Sequence, residues 1–498
     1  MTAALAFALL SAPAAEPGPA SGFPLGINLS GVRDYSTEAV FNDAFKTSRA
    51  WTSNAEGRPW GQGGPLDLDA RGQVRSLRPG QFAVTTVLTK DGYPGGAYTL
   101  TYEGTGDLEM RGKGFKVFPK GGSAAVNNPR GERIQIFLRE TDPADPVRDL
   151  HLYLPGADAS SPAFAAPFLA RTGRFAAVRF MDWGETNGSE LSSWDDRPLP
   201  GDVRYTLRGV PYEVMIELAN ELRVAPWFCV PHLADDDFVR RLAELVRDTL
   251  DPSLDVYVEH SNEVWNYQFA QTKYAEARGL ELGLSENRGR ARLLYHAKRS
   301  GEIFEIWDGA FGDDSGRVKG VLGSQSANPW VSEQLLADPA IVRRADCLAI
   351  APYFGHELGS GETAAEAAGL SDDAFFARLD ELVEAGAGKI AAHAALADAH
   401  GLELVAYEGG QHLVGRRGSE NDEALTARLI AANRHPRMAD AYRRHFEIWR
   451  DHGGGLYCVF SSVTAPSKWG SWGLLEAETQ DPADAPKWTA VAERLGEN

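Results

Sequence analysis

The stretch DVYVEHSNEVW, residues 255–265, decides the fold. Its first half is a short, nearly continuous apolar run, the pattern of a strand covered on both faces. Its second half turns polar at once and carries a carboxylate, Glu263, directly after the amide Asn262. Runs of the same kind recur on either side. Upstream stand LGINL around Ile27, AAVRFM around Val178 and APWFCV around Phe228. Downstream are four more, centred near Val321, Leu348, Val405 and Val459.

Helical text separates these runs. Residues 210–222 place Val214, Leu218 and Leu222 on one face, and Asp235-Asp236-Asp237 opens a second helix with Phe238, Leu242, Leu245 and Val246 inward. Further helices are expected over 38–46, from strand four to about residue 311, and over 333–344, 374–399, 437–452 and 487–495. Eight strands, each followed by a helix, predict an α/β chain closed as a (β/α)8 barrel. An open doubly wound sheet is the competing architecture, but the first strand is not followed by a GxGxxG turn.

One region departs from this rhythm. Residues 63–157 show no helical period. Tyr98, Leu100 and Tyr102 alternate with Thr99 and Thr101, and Leu150, Leu152 and Leu154 alternate with His151 and Tyr153. Gly/Pro clusters punctuate the segment, as antiparallel strands require. The expected organisation is therefore a leader and spacer over 1–21, the first barrel strand and helix over 22–62, an antiparallel β-sandwich-like insert over 63–157 between barrel strands one and two, and the rest of the barrel over 158–498.

Composition narrows the function. The chain has 498 residues, 43% of them hydrophobic, which is enough for a large core. Lys and Arg total 50 against 69 Asp and Glu, a net charge of −19. An acidic chain repels phosphate backbones and anionic lipid headgroups, so neither nucleic acid nor a membrane surface is an expected partner. Oligomeric state is left open. Cys229, Cys347 and Cys458 each lie inside an apolar run and read as buried, inert thiols. No Cys/His cluster or metal-ligand spacing is present, so neither a metal nor another cofactor is expected. The first residues, MTAALAFALLSAPAAEPGPASG, resemble a secretory signal with a small-residue cleavage site and point to a secreted or periplasmic protein.

In such barrels chemistry sits at the carboxyl ends of the strands. Strand two ends in Arg179 with Trp183 beyond, and strand three in His232. Strand four ends in Asn262-Glu263 with Trp265 beyond, strand six in Tyr353, and strand seven in Tyr407-Glu408. Strand eight leads to Trp469 and Trp472. Two carboxylates on one rim, with indole faces for sugar rings, are what acetal cleavage needs: one protonated to donate to the leaving oxygen, one ionised to attack the anomeric carbon. Strands four and seven face each other across the mouth. Arg179 is expected to hold Glu408 low by charge attraction, and desolvation to hold Glu263 higher as the acid. Glu259 and Glu403 are rival carboxylates, but each lies within or before a strand, where a salt bridge is the simpler role. Asn220-Glu221 repeats the Asn-Glu dipeptide inside an ordinary helix, so position rather than the dipeptide singles out Asn262-Glu263.

On these residues the barrel portion resembles the clan A glycoside hydrolases, retaining (β/α)8 enzymes with Asn-Glu after strand four and Glu after strand seven. The resemblance implies Glu263 as acid/base, Glu408 as nucleophile and Asn262 as the contact to the substrate 2-hydroxyl. It also implies Arg179 beside the nucleophile, Tyr353 positioning it, and His232 in support. Ala351 stands where some members carry a His, and the strand-eight Trp is displaced into the following loop. The implied function is a secreted β-glycosidase acting on a polysaccharide or its oligosaccharides, with Trp183, Trp194, Trp265, Trp469 and Trp472 as candidate sugar platforms. A barrel that binds carbohydrate without cutting it is the alternative. A metal-dependent amidohydrolase is disfavoured by the lack of clustered His.

Overall fold

The computed structural model describes residues 22–496; the expected leader over 1–21 lies outside them. Eight parallel strands close into a barrel: Leu25–Asn28, Ala177–Arg179, Ala225–Val230, Val256–His260, Val318–Gly323, Cys347–Ile350, Glu403–Ala406 and Tyr457–Phe460. Strand one pairs with strand two through Ile27 and Val178 and with strand eight through Ile27 and Val459, which leaves no free edge. The strands read as continuous apolar runs because helices cover them outside and packed side chains fill them inside. The interior holds Trp227, Val321, Val405 and the three thiols, all buried and unpaired as disulfides.

The covering helices follow local chemistry. Asp235 caps Asp236–Thr249 by accepting from the Phe238 amide, and Phe238, Val239, Leu242, Ala243 and Val246 are buried beneath it. At roughly 1.5–3 kcal/mol per buried side chain, that stripe rather than helix propensity holds the segment in place.

Two helix expectations need correction. Residues 38–46 do not form a helix; only a 3-10 turn, Ala44–Thr47, is present. Val40, Phe41, Ala44 and Phe45 are buried as the period suggested, but the backbone beside them is engaged at long range. Asn42 N–H donates to Ala163, Leu154 N–H donates to Asn42, and Ala165 N–H donates to Val40. The first covering helix instead comes late, at Ala166–Thr172. Residues 333–344 form two short helices, Pro329–Leu335 and Pro339–Val342, because Pro339 cannot donate into a continuing helix and Asp338 caps a new start. Three helices stand where none was expected: Ala166–Thr172, Gly361–Gly369 and Glu423–Arg434.

Between barrel strands one and two in sequence lie the antiparallel strands. They form a five-stranded, a three-stranded and a two-stranded sheet. The alternation at Tyr98, Leu100 and Tyr102 is that of Gly96–Glu103, which buries those three side chains. The first antiparallel strand, Thr52–Ala55, pairs with Gln81–Leu88 and so begins ahead of residue 63. Asp43 ties these strands to the barrel, with one carboxylate oxygen on the Leu152 amide at 2.9 Å and the other on His151 Nδ1 at 2.8 Å.

Candidate active site

The parallel register sets Arg179, the last residue of strand two, level with Asn28 on strand one and Trp227 on strand three. Arg179 is fully buried. Its Nε and Nη2 donate to a single oxygen of Glu259 at 3.1 and 2.9 Å. Nη2 also reaches Asn262 Oδ1 at 2.9 Å, and Nη1 reaches Asn28 Oδ1 at 3.1 Å. Glu408 Oε2 stands farther from Nη1, at 3.5 Å. Glu259 Oε2 further accepts from Trp227 Nε1 at 2.9 Å and from the Cys229 thiol at 3.5 Å. The guanidinium therefore gives its shorter, two-pronged contact to Glu259, as the salt-bridge reading of that residue expected. The other rival, Glu403, is exposed at the start of its strand.

Above this layer the chain leaves strand four through an unusual turn. Ser261 and Glu263 adopt left-handed backbone, with φ of 59° and 43°. Non-glycine residues pay for that conformation, and it persists where the surroundings fix it. Here Asn262 is clamped on both sides: its Oδ1 accepts from Arg179 and its Nδ2 donates to Asn187 at 3.0 Å, while Gln271 Nε2 holds its carbonyl at 2.8 Å. Glu263 then accepts from Asn266 Nδ2 at 2.8 Å and from the Tyr407 hydroxyl at 3.4 Å. Glu263 and Glu408 line one cleft of about 800 Å³, together with Asn262 and Tyr353. That volume is in the range of sites for extended small ligands.

Electrostatics correct one expectation. Arg179 does not hold Glu408 low. Burial pushes the Glu408 carboxyl up to about 8, the facing Glu263 adds to the rise, and Arg179 offsets only part of it. Burial likewise raises Glu263, opposed by its hydrogen bond from Asn266 and by Arg179. Each carboxylate makes the other harder to ionise, so the two titrate as a pair that keeps a proton near neutral pH. Tyr353, half-buried in the cleft near both carboxylates, is pushed far above the usual phenol range by desolvation and by their charges, and stays neutral.

The remaining expected residues divide. Trp265, Trp469 and Trp472 line the cleft; Trp469 is 62% exposed at its rim, and Trp472 Nε1 donates to the Trp469 carbonyl at 2.9 Å. Trp183 is a correction: it is fully buried, donates to the Ser30 carbonyl at 3.2 Å and packs against Phe41, Phe168 and Phe180. Trp194 is also core, stacked on Tyr212. His232 is a second correction: it does not line the cleft, its ring meets the edge of Tyr274 at 5.3 Å, and burial holds it neutral, down to about 4.

Several site residues were not singled out from the sequence. Asn28, Asn187 and Gln271 hold the Arg179–Asn262 layer, and the Tyr407 hydroxyl reaches Glu263. His412 lines the cleft against Tyr353 and Trp472 and is held neutral by burial, its pKa lowered to about 4. His412 Nδ1 and Trp265 Nε1 are buried with no hydrogen-bond partner in the protein. Unpartnered polar atoms in a cleft are positions for ligand hydroxyls or water. Only the strand-end location of such residues is legible in sequence. Among the described residues no group of three His, Cys, Asp or Glu side chains could hold a metal, and no helix is long and apolar enough to cross a membrane.

No protein-family model matches the chain, and no curated protein matches it. Solved structures do. The GH5-4 broad specificity endoglucanase from Clostridium acetobutylicum is 11% identical, over 67% of this chain and 91% of that one, with a TM-score of 0.39. The GH10 structure from Paenibacillus barcinonensis is 11% identical, over 60% and 79%, with a TM-score of 0.35. The Cellulomonas fimi endo-beta-1,4-mannanase double mutant is 12% identical, over 57% of each chain, with a TM-score of 0.33. Likeness at this level does not carry a substrate or a mechanism, which the cleft itself has to supply.

Proposed function

We propose that the protein is a secreted retaining glycoside hydrolase cleaving β-glycosidic bonds of a polysaccharide or oligosaccharide. The observation that carries the reading is the pair itself: a buried carboxyl group, Glu408, and a half-buried one, Glu263, from the ends of barrel strands seven and four, lining one open cleft with different partners. Glu263, hydrogen-bonded to Asn266 and near the Tyr407 hydroxyl, is the acid/base. Glu408, the member beside the Arg179 cation, is the nucleophile.

The chemistry follows from one shared proton. With substrate bound, the proton resides on Glu263 and the charge on Glu408, where Arg179 favours it. Glu263 gives its proton to the glycosidic oxygen as that C–O bond breaks, and Glu408 forms a bond to the anomeric carbon. Glu263, now ionised, takes a proton from water, which attacks the same carbon and returns Glu408 to its carboxylate. Tyr353 and Tyr407, both kept protonated by burial, remain neutral beside this charge movement. Asn262, whose amide is fixed by Arg179 and Asn187, supports recognition of the 2-hydroxyl. Trp265 Nε1 and His412 Nδ1 supply unmatched polar atoms for other hydroxyls, and the Trp469 and Trp472 indoles offer faces to sugar rings.

A reducing-sugar screen on β-glucan, xylan, mannan and galactan identifies the substrate. Glu408→Ala is expected to lower turnover by about 10⁴-fold or more, since it removes the attacking group. Added azide should restore part of it on an activated aryl glycoside. Undiminished hydrolysis by Glu408→Ala would refute the assignment.

A further inference from the structure

Beside the catalytic cleft lies a second space of about 310 Å³, and Asp182, Asn187, Phe460 and Trp472 line both. Its far wall comes from two places. One is the loop after barrel strand one, with Arg33, Tyr35 and Ser36; the other is Lys90, at the end of antiparallel strand Gln81–Leu88. The inserted strands therefore reach the substrate side of the barrel.

This wall is built. Thr89 N–H donates to the Asp34 carbonyl at 2.8 Å, and the Asp34 carboxylate accepts from Thr89 Oγ1 and from Arg49 Nε, the latter at 3.0 Å. Gly92, at φ 118°, lets the turn press on Ala477 and Thr37, where a Cβ would meet the Ala477 methyl at 2.8 Å. Lys90 and Tyr35 are thus held at the rim by a pinned turn, with Tyr35 52% exposed. Across the space, Glu185 has left-handed backbone (φ 47°) and forms a two-pronged pair with Arg33, one contact at 2.6 Å.

The charges nearly cancel. Arg33 is matched by Glu185, and Lys90 faces a space that also holds Asp182, whose carboxyl burial raises to about 6. Lys90 has no ion pair among the described residues. A balanced set of donors and acceptors beside the Trp472 indole suits hydroxyl groups better than a second carboxylate.

We infer that this space is an additional sugar subsite, completed by the inserted strands, which takes one further neutral pyranose unit of the glycan cleaved next door. The inference rests on the proposed glycosidase reading. Lys90 and Tyr35 are its specificity-determining residues: the ammonium donates to ring hydroxyls, and the phenol ring covers the unit's face. The insert then sets chain-length preference and is not a separate module.

The test uses binding, so that it does not depend on turnover. Glu263→Gln protein is titrated calorimetrically with short and long members of cello-, xylo-, manno- and galacto-oligosaccharide ladders. The same is done with Lys90→Ala and Tyr35→Ala added, and with Arg58→Ala, exposed elsewhere in the insert, as control. Lengthening the oligosaccharide is expected to tighten binding, and each of the two substitutions should remove about tenfold of that gain, with none removed by Arg58→Ala. Equal gains in all proteins, or no gain with length in any of them, would overturn the inference. Hydrolysis by the wild-type protein is scored separately. Tight, length-dependent binding without cleavage would refute the catalytic reading while leaving the subsite standing.

Discussion

Glu259 and Glu263 belong to one strand and the turn that follows it, yet they live under opposite conditions. Glu259 lies in the buried layer, where one oxygen accepts from Arg179, Trp227 and Cys229. Glu263 lies one layer higher, on left-handed backbone, with one amide and one distant phenol for company and a second carboxyl facing it across the cleft. The first environment uses a cation to fix a charge in place. The second leaves a charge unsettled, so a proton can move. The same difference explains why Arg179 offsets only part of the rise at Glu408: its best geometry is already taken below.

Three changes would break or sharpen that contrast. The largest expected effect is Glu259→Gln. Removing one partner of a buried pair destabilises by about 3–5 kcal/mol, read as a lower urea midpoint. It should also free Arg179 for Glu408 and move the acidic limb of the pH–rate profile to lower pH. A stable variant with an unmoved limb would show that Arg179 and Glu408 are not coupled.

The second change acts at the mouth. Burial and Glu263 hold the Glu408 carboxyl at about 8 against an ordinary value of 4.5. Its protonated form is thus the one the fold accommodates. The associated stability is complete below about pH 4.5 and is lost as pH rises through about 8. Glu263→Gln removes the facing charge, so its melting temperature should gain on the wild type by a few degrees between about pH 5 and about pH 8. Parallel curves would place the proton elsewhere.

The smallest of the three is the loss of length dependence in Lys90→Ala, which asks whether the insert takes part in the site.

Much of this was legible in the chain. Eight barrel strands show because strands covered on both faces are written as unbroken apolar runs, and the strand-end rule then points to Arg179, Asn262, Glu263, Tyr353 and Glu408. Residues 38–46 misled because their apolar spacing is real, but their backbone hydrogen bonds go to residues 153–165, distant in sequence. Pro339 was a readable helix break. Trp183 and Trp469 look alike as letters, and only packing separates a core ring from a rim ring. Which carboxylate Arg179 prefers depends on ångström differences that no spacing encodes, and the same holds for the unpartnered nitrogens of Trp265 and His412.

The most direct measurement is to trap the reaction. The protein is incubated with an activated 2-deoxy-2-fluoro glycoside of the sugar it releases, then digested and mapped by mass spectrometry. A glycosyl adduct on the peptide carrying Glu408, absent from Glu408→Ala, is the expected result. An adduct on Glu263, or cleavage with inversion at the anomeric carbon and no adduct at all, would contradict the roles given to the two carboxyl groups.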